Sequence, residues 1–506
     1  MKNIFYLIAV VVGLMFAHIV DATEPMQMTM TLKPDGEVIL IMAGSGTVTI
    51  DWEDKSPSET YTLLVYDKED WQNDWQKYTY SHVYSRKSAR TITITDGNIT
   101  HLECNHLKLT SLDISRNTAL TNLYCKANQL TSLDVSNNSA LTTLDCSGNQ
   151  LISLDVSKNK ALSELVCDYN KLPDLDVSEN IALTELVCSN NKLKYLDVSK
   201  NTALTTLNCS ENQLKNLEIS KNTLLTNFYC DHNQLTSLDV SKNIALTKLV
   251  CDHNQLTSLD VSKNIALTYL YCPENQLTNL DVSNNTALRY LTCGKNQLTG
   301  LDVSSNTELA FLSFGMNQLT EFYAGINTKL VVLDCFGNQL SASALDTLFG
   351  TLHSDTISGG KGICFSFNPG ADTCDKSIAT DKGWEVICPA WRLWKEEVDS
   401  TLFGIVDTPP LFEGKEAEEG FREYVSRKTV YPMAALLNGI QGTVLVEFAI
   451  NTQGKVVDAK VVLNAHPLLD ARALRVINSS PKWTPGMVRG KKVKVKYTFP
   501  VSFRMN

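Results

Sequence analysis

The chain has 506 residues, 43% of them hydrophobic, and a net charge of −10 at pH 7, a length that supports about three domains and a sizeable core. The charge is uneven: residues 421–506 hold 14 Lys/Arg against 4 Asp/Glu, a net of +10, which leaves −20 to residues 1–420. A basic domain raises nucleic acid as a partner, but a secretory signal at the N-terminus points away from it and towards an anionic partner in the cell envelope.

Residues 1–22 open on Met1-Lys2-Asn3, continue through a mostly apolar run over 4–20 and close on Asp21-Ala22. This reads as a signal peptide cleaved after Ala22. At 17 residues the run is long for a signal and short for a membrane span, so retention as an anchor is the alternative. The expected compartment is extracytoplasmic, the periplasm first, with an inner-membrane anchor or the cell surface as alternatives. No cysteine near the cleavage site invites lipid attachment, and no other stretch is long enough to cross a membrane. Residues 23–98 are β-rich. Runs at 47–50, 61–65 and 91–95 carry strand-forming residues, two of them in strict alternation. Asp51-Trp52-Glu53-Asp54 with Tyr80-Ser81-His82-Val83-Tyr84 resembles a polycystic-kidney-disease-type β-sandwich, and its expected role is to cap the repeats that follow.

Residues 99–340 repeat every 21 residues. Cysteine stands at 104, 125, 146, 167, 188, 209, 230, 251, 272 and 293, Phe314 takes the next position, and Cys335 follows. That makes twelve registers without insertion or deletion. Asparagine recurs three residues after the ladder, from Asn128 to Asn338, and again from Asn117 to Asn327. A fixed period of this size means a solenoid. Each coil contains L-x-x-L-x-C-x-x-N-x-L and a second half built on Leu-x-Val. Alternation in each half predicts two side chains inward and one outward. Asparagine turns the chain by replacing missing backbone partners. At a strand spacing of about 4.8 Å, the coils would form a rod roughly 55–60 Å long. This stretch resembles leucine-rich-repeat proteins of the internalin J type, which carry 21-residue repeats with a cysteine ladder.

Phe314 in the cysteine register marks that position as packing, and thiols at strand spacing sit wider than the ~3.8 Å a disulfide prefers between its Cβ atoms. The ladder is therefore expected to be buried free thiols. Outside it, Cys364 and Cys374 are close enough in sequence to pair across a short loop, leaving Cys388 odd.

The Leu-Asp-Val half varies little between coils, which marks scaffold. The cysteine half varies at its outward positions, which marks a surface free to bind. Those positions hold Tyr229, Tyr269, Tyr271, Tyr290 and Phe311, aromatics suited to anchor a protein or glycan ligand or to fill side-chain ladders. An acidic column runs from Asp113 to Asp302 with Glu218 within it. Lysines three residues on, or calcium, would offset its repulsion. His232 and His253, each after an aspartate, should stack on adjacent coils. With carboxylates they suit a transition metal, but no third fixed ligand is evident, so they read as solvated surface and no metal site is assigned.

Residues 341–390 read as a C-terminal solenoid cap, with helical spacing at Leu345, Leu348, Phe349 and Leu352 after the capping serines Ser341 and Ser343. Residues 391–411 read as a linker with Pro409-Pro410 near its end. Residues 412–506 then predict a small α+β domain: a short helix from Tyr431-Pro432, a hairpin of strands over 442–450 and 455–463 joined by Asn451-Thr-Gln-Gly454, a helix to about Ser479, a turn at Pro481-Lys-Trp483-Thr-Pro485-Gly486, and a basic strand over 491–499.

This stretch resembles the C-terminal domain of TonB energy transducers. The matching residues are Tyr431, Pro432, Ala435, Gly439, Gly442, Val444, Val446, Phe448, Gly454, Leu469, Asp470, Ala473, Leu474, Pro481, Trp483, Pro485, Gly486, Gly490, Val493, Pro500, Val501 and Phe503. The resemblance implies a periplasmic domain that grips a short segment of outer-membrane transporters by strand addition. Tyr431, Pro432, Lys491, Lys492, Lys494 and Lys496 are the expected docking residues, although lysines also guard edges against unwanted pairing. A solenoid stands where a transducer has a proline-rich spacer.

The expected architecture is mixed: a leucine-rich-repeat, β-solenoid-like rod, an N-terminal β-sandwich cap and an α+β C-terminal domain. No phosphate-cradling loop, zinc-protease helix motif or nucleophile with a placed base is present, so no enzyme activity, no catalytic residue and no cofactor is expected. The reading that fits best is an extracytoplasmic interaction protein whose solenoid recognises a ligand and whose C-terminal domain docks on a TonB-dependent outer-membrane transporter or another envelope component. The alternatives are a membrane-anchored TonB-type transducer supporting transmembrane transport and a cell-surface adhesin.

Overall fold

The computed structural model describes residues 26–34, 36–66, 75–84, 88–355, 361–386 and most of 411–503; within the last stretch, 413–414, 417–420, 422–423, 426–427, 430–441, 464–466, 486, 489–490 and 493–494 fall outside the description. The expected signal segment 1–22 and residues 391–410 of the expected linker also lie outside the described residues. The chain divides into two compact units, Met1–Leu291 and Thr292–Asn506.

The first unit opens with antiparallel strands β1 (Gln27–Leu32), β2 (Glu37–Ser45), β3 (Thr47–Asp51), β4 (Glu59–Thr62), β5 (Thr79–Val83) and β6 (Arg90–Thr95). Their alternate residues, among them Met28, Met30, Val38, Leu40, Val48, Ile50, Ile92 and Ile94, are buried, the period-2 pattern of a half-covered sheet. Two strands of the first coil complete the sandwich. β7 (Asn98–Glu103) pairs antiparallel with β2, and β8 (Leu109–Asp113) pairs antiparallel with β1. β7 also pairs in parallel with the first ladder strand, matching Leu102 to Leu123. The open backbone edge of the first coil is thus taken up by the sandwich, which removes a template for unwanted pairing.

The ladder strands are three residues each: β9 (Asn122–Tyr124), β10 (Thr143–Asp145), β11 (Glu164–Val166), β12 (Glu185–Val187), β13 (Thr206–Asn208), β14 (Asn227–Tyr229), β15 (Lys248–Val250) and β16 (Tyr269–Tyr271). Each pairs in parallel with the next at a shift of one repeat, as in Leu144 to Leu165 and Leu165 to Leu186. The ladder cysteines are fully buried. The residue two places after each cysteine takes a left-handed conformation, from Ala127 at φ 54° to Glu274 at φ 52°, at a cost of about 1–2 kcal/mol for a side chain other than glycine. Its N–H donates to a carbonyl one coil on, as in Tyr169 to Ser189 at 3.1 Å and His232 to Asp252 at 3.0 Å. The buried asparagine that follows completes the turn. Asn149 Nδ2 donates to the carbonyls of Cys125 and Cys146, both at 3.0 Å, while its Oδ1 accepts the Leu130 N–H at 3.0 Å. The second asparagine series bonds through its donor side only: Asn159 Nδ2 donates to Val135 O at 2.9 Å and Asn138 O at 2.8 Å, while its Oδ1 is buried without a hydrogen bond.

The two half-coils are not equivalent. Past β8, the Leu-Asp-Val half forms no strand in the repeats, although Leu154 and Val156 point inward and are buried. Its aspartate folds the chain locally instead: Asp155 Oδ1 accepts the Ser157 N–H at 2.9 Å, an Asx turn that competes with sheet pairing.

β17 (Tyr290–Thr292) spans the boundary between units. The second unit continues with β18 (Phe311–Ser313), β19 (Val332–Asp334), β20 (Lys361–Cys364) and β21 (Trp384–Val386), successive parallel neighbours. Helix α1 (Ala342–Thr351) lies between β19 and β20, and Ser341 caps it by accepting the Ala344 N–H at 3.2 Å, as the sequence predicts. A further coil follows this insertion. Asn368 Nδ2 donates to Cys335 O at 2.9 Å and Phe365 O at 2.8 Å, and its Oδ1 accepts from Leu340 N at 3.0 Å. Phe365 therefore takes the ladder position and Asn368 the asparagine position, which extends the repeat beyond residue 340. The expected Cys364–Cys374 bridge is not formed: both are free thiols. Cys364 belongs to β20, where its carbonyl accepts the Cys335 N–H at 2.8 Å, whereas Cys374 sits in the following turn. After a short helix α2 (Ser377–Thr380), Trp384 is buried and its Nε1 donates to His353 O at 2.9 Å.

The C-terminal part begins with the paired strands β22 (Leu411–Phe412) and β23 (Lys415–Glu416). Its main sheet is β24 (Gly442–Ile450), β25 (Val456–Leu463) and β28 (Val495–Phe503), in the order β25-β24-β28, with helix α3 (Pro467–Asn478) between β25 and the last strands. The basic stretch predicted as one strand is divided. Lys491–Lys492 form β27, paired with β26 (Met487–Val488), and β28 starts at Val495.

Candidate interaction surfaces

The core of the C-terminal domain is aromatic. Phe412 and Phe421 lie against Trp483 at 5.0 and 4.8 Å between ring centroids. Trp483 Nε1 donates to Ser480 Oγ at 2.8 Å. Gly454, at φ 78°, brings the hairpin turn against Trp483, where a Cβ would stand 2.0 Å from the Trp483 carbonyl; only glycine meets both demands. Eight of the residues that carry the sequence resemblance, Val444, Val446, Phe448, Leu469, Ala473, Trp483, Val501 and Phe503, are buried in this core. They build the fold and present nothing to a partner.

Among the described residues this domain has a strand edge. β24 pairs with β25 on one side and with β28 on the other, from Gly442↔Phe503 to Ile450↔Val495. Among the described residues, β28 is a terminal strand of its sheet. It carries Pro500, a residue that sheets accept at edges. Of the expected docking residues, Lys496 lies in β28, Lys491 and Lys492 lie in β27 with Lys492 exposed, and Tyr431, Pro432 and Lys494 fall outside the described residues.

On the solenoid, Tyr229, Tyr269, Tyr271 and Tyr290 come together. The Tyr269 ring stacks on Tyr271 at 6.4 Å and lies 5.6 Å from Tyr290. Lys248 Nζ lies over both Tyr229 at 5.1 Å and Tyr269 at 4.6 Å, a cation–π bridge that joins Tyr229 to the others. Lys248 was not singled out from the sequence, although it holds the same outward register as Tyr269 one coil earlier. Tyr290 is 47% exposed. Phe311 belongs to the second unit and is partly buried.

The acidic column is occupied by its own backbone. Asp134, Asp176, Asp197, Asp239, Asp260 and Asp281 each accept the N–H of the serine two residues on at 2.8–2.9 Å. These bonds with serine hold the carboxyls below their usual range. A different carboxyl behaves in the opposite way. Burial, reinforced by the Asp145 carboxylate, pushes Asp168 up to about 7, and its Oδ1 is buried without a hydrogen bond.

His232 and His253 stack with ring centroids 3.9 Å apart. Asp252, buried between them, places Oδ2 2.7 Å from His253 Nδ1 and 3.9 Å from His232 Nδ1. Asp252 is the third donor group that the sequence did not reveal beside the two histidines: its atom and one nitrogen from each histidine all lie within 4.8 Å of one another.

A family model described as Gram-negative bacterial TonB protein C-terminal matches residues 427–505. The Protein TonB of Helicobacter pylori, in two strains, is 44% identical over 62 residues, which cover 12% of this chain and 22% of that protein. The chain thus spans about a fifth of the length of the curated relatives it matches. An internalin, inlF, from Listeria monocytogenes is similar in structure at 23% identity and a TM-score of 0.52, covering 57% of this chain and 86% of its own. The functional domain of InlJ from Listeria monocytogenes, which includes a cysteine ladder, is 34% identical with a TM-score of 0.46, covering 54% of this chain and 70% of its own. The chain therefore joins a leucine-rich-repeat solenoid to a C-terminal domain of the TonB type.

Proposed function

We propose that this chain is an extracytoplasmic interaction protein whose C-terminal domain docks on the extended segment of a TonB-dependent outer-membrane transporter, or on another envelope component, while the solenoid holds a second ligand. The observation that carries this reading is β28: nine residues, terminal in its sheet, in a domain of the TonB type. A strand of this length offers about 30 Å of backbone donors and acceptors to an incoming peptide. The lysines at 491, 492, 494 and 496 favour an acidic or uncharged segment, and Tyr431 and Pro432 are assigned to the same docking surface. The solenoid ligand, a protein or glycan, is assigned to Tyr229, Tyr269, Tyr271, Tyr290 and Phe311, with Lys248 as a cationic partner.

The test is calorimetric titration of the full chain with synthetic N-terminal segments of TonB-dependent transporters encoded in the same genome. Saturable 1:1 binding that weakens when the four lysines are changed to glutamate supports the reading. Absence of binding across the whole panel overturns it. For the solenoid, changing Tyr269, Tyr271 and Tyr290 together to alanine should abolish capture on a glycan array or an envelope-protein array, and unchanged capture would sink the assignment.

A membrane-anchored transducer is the second reading. It rests on the apolar run at residues 4–20 together with the TonB-type domain. Recovery of the native protein in the inner-membrane fraction with Met1 intact favours it, and a start at Thr23 in a soluble fraction excludes it.

A further inference from the structure

We propose that His232, Asp252 and His253 form a binding site for a divalent first-row transition-metal ion of the zinc class. The three side chains come from neighbouring coils, so the solenoid backbone fixes their spacing. The 2.7 Å between His253 Nδ1 and Asp252 Oδ2 is close to the edge of about 3 Å subtended by two ligands that each lie ~2.0–2.1 Å from one ion. His232 Nδ1, 3.9 Å from the same oxygen, reaches that spacing with a shift of under about 1 Å, and its side chain is 46% exposed and free to make it.

The surrounding hydrogen bonds leave a need that a cation meets. His253 Nδ1 faces Asp252 at 2.7 Å and its Nε2 faces Glu274 at 2.9 Å. An imidazole with both nitrogens on carboxylates needs a cation on the ring, either a second proton that lets it donate to both or a metal ion on one nitrogen with the remaining N–H on the other carboxylate. Asp231 adds a further carboxylate, 3.2 Å from His232 Nδ1. Two imidazoles thus stand among three carboxylates, one of them, Asp252, only 7% exposed at its side chain. A divalent ion offsets this charge and accepts the lone pairs. Imidazole donors select zinc, nickel, cobalt or copper over calcium and magnesium. Glu274 is then placed to hold His253 from outside through its Nε2, the arrangement that orients metal-bound imidazoles; the Asp231 carboxylate faces the same Nδ1 of His232 that the ion takes and gives up that contact when the ion binds.

The register also supplies fold-neutral variants. The position of His232 and His253 is held by Asn190 and Lys295 in other coils, with the same left-handed backbone at φ 52° and 50°. His232→Asn and His253→Asn should therefore leave the melting temperature of the metal-free protein unchanged.

The experiment titrates the full, tag-free chain with Co²⁺ and follows its visible absorption, then displaces it with Zn²⁺. The expected result is one saturating Co²⁺ per chain with visible ligand-field bands and no thiolate-to-cobalt charge transfer in the near ultraviolet. H232N/H253N should lose the signal, and Asp252→Asn should weaken binding by about 10-fold or more. Three outcomes overturn the proposal: no saturable binding, a near-ultraviolet band that assigns the ion to cysteines, or undiminished binding by H232N/H253N. The wild-type spectrum alone separates nitrogen and oxygen donors from sulfur, so the proposal stays falsifiable if a variant fails to fold.

Discussion

Replacing Asn191 with alanine tests what holds the coils together. Asn191 is buried and makes four contacts: Nδ2 donates to the carbonyls of Cys167 at 3.0 Å, Cys188 at 3.2 Å and Ser189 at 3.2 Å, and Oδ1 accepts from Leu172 N at 3.0 Å. The carbonyls keep other donors after the change. Cys167 O retains Asn170 at 3.1 Å, Cys188 O retains Asn212 at 3.0 Å, and Ser189 O retains the Tyr169 N–H at 3.1 Å. The Leu172 N–H has no such second partner. Its burial unpaired costs about 1–3 kcal/mol, and three weakened second acceptances add about 0.5 kcal/mol each, for a total near 3 kcal/mol. Urea unfolding of Asn191→Ala should show this loss. The neighbouring Asn190→Lys, which copies the residue found at Lys295, should change stability by less than about 0.5 kcal/mol. Asn191→Asp keeps the acceptor but sets a carboxylate against three carbonyl oxygens, so it should be at least as damaging at pH 7 and recover as the introduced carboxyl is protonated. A loss below about 0.5 kcal/mol for Asn191→Ala would refute the reasoning, because the ladder would then contribute no net stability.

Asp168 predicts a pH dependence. Its folded pKa, raised to about 7 by burial and by Asp145, lies above the unfolded value, so the folded state holds the proton more tightly. The contribution of Asp168 to stability is highest below about pH 4, falls through the window from 4 to 7 and is level above it. Asp168→Asn should remove that contribution to the slope and raise stability at pH 8 by about 1–2 kcal/mol after allowance for solvent screening at this partly buried residue, and parallel melting-versus-pH curves for the two proteins would contradict this. Gly454→Ala meets both a φ of 78° and the Trp483 carbonyl, so it should destabilise the C-terminal domain by more than about 2 kcal/mol; a variant with unchanged near-ultraviolet dichroism and melting refutes that packing. The ladder thiols should resist Ellman's reagent in the native protein and react in urea, since burial pushes groups such as Cys188 and Cys293 up to about 12. Fast reaction of more than three thiols without denaturant would contradict the buried ladder, since only Cys364, Cys374 and Cys388 lie outside it.

The repeat was legible because it has no gaps: cysteine, asparagine and leucine keep one clock from residue 104 to 338. The coil after β19 was hidden because α1 is inserted within it, so Phe365 and Asn368 fall out of step although they occupy the same structural positions. The same insertion made Cys364 look like half of a loop disulfide, when it is a strand residue beside Cys335. The Leu-Asp-Val half keeps the alternation read from the sequence, with Leu154 and Val156 buried and Asp155 exposed, but it forms no strand because Asp155 and Asn159 turn the chain there. Register alone placed Tyr269, Tyr271 and Tyr290 on one surface. It did not reveal that Lys248 ties Tyr229 to them, or that Asp252 reaches both histidines, because side-chain reach between coils is not written in the period. In the C-terminal domain eight of the residues that carry the resemblance, Trp483 and Phe448 among them, fill the core, which is why the sequence resolves the fold there more sharply than the partner.

The central claim is strand addition at β28, and hydrogen–deuterium exchange of the full chain with and without a bound transporter segment tests it most directly. The account predicts new protection confined to alternate amides of Val495–Phe503, with the amides of β25 unchanged. Protection on β25 alone, or binding that leaves β28 unprotected, would contradict it.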